Sequence, residues 1–300
     1  MSAPTIAELA ALANQAAKAD DMTKETAGGN FERVLPSAGK GLCRFREYIE
    51  LGTHPTATKE YPDKKPARKA RFVFELVTPQ HVQTIEPEGK DAFKIAHTIK
   101  IDVTMSKSAK GNYMKLFKLL NYKQTANHPA QLLGQGYLCD IVHAWAKDAD
   151  KTKDKPAYAN LRTGGAEGHY TIAPPRIENP LAATPEEQVK DIQVPALLGG
   201  NETLKLFLFD NPTMATWDSL FIEGTYEKEV DGEKKEFSKN FVQELILKAL
   251  DFENSKLQIL LEAGAADALD NLPTEQPQEQ AQQAAEATPD AQADPLAGLC

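Results

Sequence analysis

The chain has 300 residues, 41% of them hydrophobic, which supplies enough apolar content for a folded core and excludes wholesale disorder. No apolar run reaches the ~20 residues that cross a bilayer, and Glu8, Asp20 and Asp21 stand where a basic-then-apolar leader would be, so a soluble cytoplasmic protein (host cytoplasm, if viral) with no membrane partner is expected. The net charge of −9 averages unlike parts: residues 36–165 hold 22 Lys and Arg against 13 Asp and Glu, a net +9, whereas the stretch from Glu262 onward has eight acidic residues and no Lys or Arg.

Residues 5–19 predict a short helix, with Thr5 as N-cap, Glu8 three residues on, and Ile6, Leu9, Leu12, Ala13 and Ala16 on one stripe. From Gly41 the apolar period changes from 3.6 to 2. In Cys43–Leu51, strict alternation puts Cys43, Phe45, Ile49 and Leu51 on one face and Arg44, Arg46 and Tyr48 on the other. Pro55 to Pro66 is a Lys-rich exposed loop. A second strand sets Phe72, Phe74 and Leu76 against Lys69, Arg71 and Glu75, and a third sets Ile99, Ile101, Val103 and Met105 against Lys100, Asp102 and Thr104. A helix over Tyr113–Gln124, a fourth strand over Tyr137–Trp145, the charged hairpin-like 147–155 and a fifth strand over Tyr158–Arg162 follow.

Strand, strand, strand, helix, strand, strand is the order of the OB-fold, a five-stranded Greek-key barrel. The fold class expected is therefore mainly β with added helices: residues 1–29 a helix and linker, 30–175 the barrel, 176–262 an α/β extension packed on it, and 263–300 a disordered acidic tail rich in Ala, Gln, Glu and Pro.

Basic residues interleaved with aromatics are the main chemical signal. Arg44, Arg46, Tyr48, Lys69, Arg71, Lys107, Lys110, Tyr113, Lys115, Tyr158 and Arg162 are the candidate nucleic-acid-binding residues, cations for phosphates and rings for unstacked bases. Trp145 ends an apolar face and is expected in the core. The tethered acidic tail has the charge to compete for the same basic groove or to serve as a handle for partners. Catalysis lacks a motif: there is no P-loop and no HExxH, six histidines are scattered singly, and Asp102 and Asp140, on strands expected to be neighbours, are the one carboxylate pair that a metal nuclease would use. Cys43, Cys139 and Cys300 form no CxxC, and the first two fall on apolar strand faces. No cofactor or metal is expected.

The stretches Val34–Gly39 and Arg44–Gly52, then Lys69–Leu76, Gly136–His143 and Tyr158–Leu161, resemble phage-encoded single-stranded DNA-binding proteins, as do Phe209–Pro212, Trp217–Leu220 and Lys239–Glu244 downstream. The resemblance implies a non-catalytic OB-fold protein that coats single strands in phage replication or recombination, with an acidic tail that contacts replication or recombination proteins. The chain ends Asp294-Pro295-Leu296-Ala297-Gly298-Leu299-Cys300, without the terminal aromatic of that pattern. A phage accessory protein that uses the barrel for protein contacts, and a recombination annealase, are the alternative readings.

Overall fold

The computed structural model describes residues 34–59, 61–86, 91–145, 156–164, 168–179, 181–184, 188–230 and 233–270. The expected N-terminal helix, the charged 147–155 stretch and the tail beyond residue 270 lie outside them.

The described chain is mainly β with few helices. Its strands are β1 (Gly39–His54), β2 (Ala67–Leu76), β3 (Val82–Ile85), β4 (Phe93–Ala96) and β5 (Thr98–Thr104), followed by helix α1 (Asn112–Leu120). Next come β6 (Gly136–Ala144), β7 (Tyr158–Asn160), β8 (Ile172–Ala173), β9 (Arg176–Glu178), β10 (Val189–Asp191) and β11 (Lys205–Phe207). Helix α2 (Met214–Asp218), the hairpin β12 (Thr225–Val230) with β13 (Glu233–Ser238), and helices α3 (Phe241–Leu247) and α4 (Lys256–Asp270) complete it. Helix α4 thus runs into the segment whose composition predicts a tail.

The main sheet runs β5-β2-β1-β6-β7, with β8 on β6 and β11 parallel to β1. β1 is long enough to serve two partners along one edge: Gly39–Arg44 pairs with β6, and Glu47–Ile49 pairs with β11. Its other edge holds β2 from Cys43 to His54.

The alternation expected along β1 breaks in the middle. The β1–β2 register shifts between Phe45 and Glu47, leaving Arg46 as the extra residue of a bulge. After the bulge the parity reverses, so Tyr48, not Ile49, joins Cys43 and Phe45 inside. Tyr48 has no exposed surface; Phe45 stacks on Phe72 and Phe74 at 5.4 Å, and Leu116 and Leu120 of α1 and Ile99, Ile101 and Val103 of β5 close this core. Each such buried aromatic or aliphatic side chain contributes about 1.5–3 kcal/mol.

Ile49 and Leu51, displaced to the opposite face, found a second core with Phe207, Phe209, Trp217, Leu220, Val242, Ile246 and Leu257. The C-terminal segment is therefore packed against the outer face of β1. Asp251 fixes it there, accepting from the backbone N–H and the hydroxyl of Thr53 at 2.7 Å each. Buried Glu50 accepts from the Phe209 N–H at 3.0 Å.

Candidate nucleic-acid interface

The strand alternation explains which cations can reach a ligand. Arg44 is engaged by backbone, its guanidinium donating to the carbonyls of Gly134 and Val194, at 2.6 and 2.7 Å, and to that of Pro195, while it lines a separate hollow of about 580 Å³. Arg46 donates to Glu75 at 3.1 Å and to the Thr203 carbonyl at 3.3 Å, while the other Glu75 oxygen accepts from the Leu198 N–H. Both arginines clasp the 194–204 segment to the sheet, and neither lines the cleft where the other cations gather. The physical reason is that β1 and β2 have cover on both faces, so cations on the second face are engaged from above.

Tyr48 and Tyr113 are corrected as stacking platforms. Both are buried, and their hydroxyls meet at 2.9 Å. Burial raises both phenols above the usual tyrosine value; their hydrogen bond adds to the effect at Tyr48 and opposes it at Tyr113. Lys69 lies at the base of the Pro55–Pro66 loop, 3.4 Å from the Pro55 carbonyl. Lys115 is exposed on α1. Trp145 is half-buried.

The remaining candidates gather around one cleft. β5 and β7, the two ends of the main sheet path, face each other across a volume of about 430 Å³. Lys100, Asp102 and Thr104 line it from β5, Asn160 and Arg162 from β7 and the turn after it, and Lys64 from the long loop. The start of α1 closes one end through Ser106, Gly111 and Asn112. The turn between Ser106 and Gly111 is held by Gly111 N–H to Ser108 O at 2.9 Å and carries exposed Lys107 and Lys110.

The carboxylate in this cleft is compensated. Asp102 takes two hydrogen bonds of 2.7 Å from Arg71, a buried residue of β2. Arg71 therefore contributes to the cleft through Asp102, not by lining it. Arg162 donates to the Gly168 carbonyl at 3.2 Å and packs over the Tyr170 ring, its Cζ 5.8 Å from the centroid. Burial raises the Tyr170 phenol above its ordinary value, and the Arg162 charge works in the opposite direction.

Two exposed rings belong to the segments that supply Asn160 and Lys64 to the cleft. Tyr158 of β7 is 48% exposed, and Tyr61, one turn before Lys64, is 65% exposed. Sequence reasoning missed Tyr61, Lys64 and Lys100 as site residues. The signal for the first two was a tyrosine between lysines in a loop rich in turn formers; for Lys100 it was its place opposite Ile99 and Ile101 on β5. The loop is tied at its base by Thr56 Oγ1 to Lys65 O, 2.6 Å, so it is presented from a fixed footing.

Asp102 and Asp140 do not sit together: β5 and β6 are separated by β2 and β1 in the sheet, so the expected neighbourhood is corrected. No group of three His, Cys, Asp or Glu side chains suited to a metal occurs among the described residues. Cys43 and Cys139 are buried, and the Cys43 thiol is pushed up by its hydrogen bond to Cys139 and by burial, the opposite of what a nucleophile needs. Among the described residues no helix is long and apolar enough to cross a membrane. Compared with known protein families, curated proteins and solved structures, the chain matches none.

Proposed function

We propose that this chain binds single-stranded DNA without sequence preference, coating it in phage replication or recombination, and that it is not an enzyme. The observation that carries the reading is the β5–β7 cleft: Lys64, Lys100 and Arg162 line it, its carboxylate is held by Arg71, and Tyr61 and Tyr158 are exposed on the loop and strand that supply Lys64 and Asn160. Cations follow the phosphates while rings accept any base, since every base has a flat face.

We read the main sheet as an OB-type five-stranded barrel. The strand order supports this, with β1 between β2 and β6, β5 beside β2, β7 beside β6, and α1 between β5 and β6. The cleft then lies where the third and fifth barrel strands meet. The acidic C-terminal segment complements it in charge, either as a tethered competitor or as a handle for replication or recombination proteins. Deleting residues 271–300 separates these roles, because only a competitor's loss raises affinity at low salt.

The test is fluorescence anisotropy of labelled oligo-dT at two salt concentrations, with duplex of equal length as control. Tight, salt-sensitive binding that prefers the single strand is expected. Equal binding to duplex, or none to either, would overturn the reading and leave the barrel as a protein-contact module.

A further inference from the structure

The β12–β13 hairpin stands apart from the main sheet. Its strands pair with each other and, among the described residues, with no other strand. A two-stranded ribbon is marginally stable in water by itself, and its aromatic pair is not buried: Tyr226 is 45% and Phe237 38% exposed. Yet the two are register partners with rings stacked at 5.8 Å and 28° between planes.

The faces of the ribbon differ. Lys235, two residues before Phe237 and register partner of Lys228, shares the aromatic side, because side chains alternate along a strand. The opposite side carries the register partners Glu227 and Glu236, with Lys234 3.6 Å from Glu227. The outer face of a stacked ring pair with lysine on the same side matches a base and its phosphate, and the acidic reverse face would repel the same ligand.

The ribbon is also placed beside the cleft. Its base is closed by Lys239 N–H to Gly224 O at 2.9 Å, and the chain then passes into Phe241. The Phe241 ring lies 4.6 Å from Lys100 Nζ, which lines the cleft, and 5.7 Å from Arg71 Cζ. Phe237 is only four residues from Phe241, at most about 14 Å of extended chain.

We propose that the β12–β13 ribbon is a second contact for the same single strand, which leaves the cleft past Phe241 and stacks a base on the Tyr226–Phe237 pair while Lys235 meets a phosphate. This rests on the single-strand reading of the cleft, and the ribbon lengthens the track on one side only.

The experiment compares the full chain with the Tyr226→Leu/Phe237→Leu variant, which keeps apolar bulk but loses the π-faces, on labelled oligo-dT of about 8 and about 25 nucleotides. The variant is expected to bind the long oligonucleotide about tenfold more weakly and the short one as the wild type does, an unchanged short-oligonucleotide affinity reporting an intact cleft. Independently of any variant, photocrosslinking of wild-type protein to iodouracil-substituted long oligonucleotide, followed by peptide mapping, is expected to label Tyr226 or Phe237. Unaltered long-oligonucleotide affinity in the folded variant, or crosslinks confined to the cleft, would overturn the ribbon's role while leaving the cleft reading standing. Failure of the wild type to bind either length would overturn both.

Discussion

Arg71 and Asp102 are register partners across β2 and β5 and share two hydrogen bonds of 2.7 Å, Nε to Oδ1 and Nη2 to Oδ2. The arginine is 8% exposed and lies under Phe241, whereas the carboxylate opens onto the cleft. The pair therefore holds a cation in the wall and keeps its own anion from repelling phosphate. Asp102→Asn retains an acceptor for Arg71 and removes the negative charge. Its oligo-dT affinity at low salt should rise several-fold, and stability should fall by about 1 kcal/mol, in line with a partly exposed ion pair. Titrations at two salt concentrations check this; unchanged or weakened binding at low salt would remove the cleft from the interface.

Arg162 in the cleft and Arg44 on the 194–204 clasp should behave in opposite ways. Arg162→Gln should weaken binding to every sequence alike and lower the salt slope by about 0.7, the share of one single-strand phosphate. Arg44→Gln should leave that slope alone and lower the urea midpoint, losing roughly 2–3 kcal/mol because three backbone carbonyls lose a charged donor. The contrast is read from one salt series and one denaturation series on each variant.

Gly52 has φ +80°, and a Cβ there would lie 2.6 Å from Ala249 Cβ and 2.9 Å from Asp251 Oδ1. Gly52→Ala meets both a left-handed backbone and a tightly placed neighbour, at the point where Asp251 anchors the C-terminal segment. A loss of about 2–3 kcal/mol in urea unfolding is expected. A wild-type midpoint would show that this anchor yields easily.

His81 has no exposed surface; its Nε2 meets Ser37 Oγ at 3.1 Å, and its Nδ1 has no hydrogen-bond partner among the described residues. Burial lowers its pKa, partly offset by Ser37. The unfolded chain thus binds this proton more readily than the folded one. Stability from this group is complete above about pH 6.5, falls as the pH drops below that value, and levels off once the pH is under the lowered folded pKa. The stability advantage of wild type over His81→Gln should therefore shrink between about pH 7.5 and about pH 5. An advantage that grows on acidification would contradict the assigned sign.

β5, β6 and α1 were legible because each keeps one buried face with an unbroken period, as in Ile99, Ile101 and Val103 of β5. The reading went astray at Arg46. A bulge costs one residue of phase and leaves no mark in composition, so strict alternation put Tyr48 outside and Ile49 inside, the reverse of the structure. The same slip concealed the second core, since Ile49 and Leu51 appeared to belong to the first. Arg44 and Arg46 looked like ligand-facing cations because nothing local reveals that residues 194–204 pass over them. The cleft was half legible: Arg162, Lys107 and Lys110 came from charge pattern, whereas Lys64 and Lys100 needed the approach of the loop and β7 to β5.

β1 is a wall common to both cores. Tyr48 belongs to one apolar body and Ile49 to the other, although they are adjacent in sequence. Neither body can open without stripping one side of the same hydrogen-bonded ladder, so their local opening energies are linked and the slowest-exchanging amides should cluster at residues 47–51. A chain cut short before Phe207 would not leave a self-sufficient fold: it would leave a sheet with a greasy strip facing water, prone to find another molecule's edge.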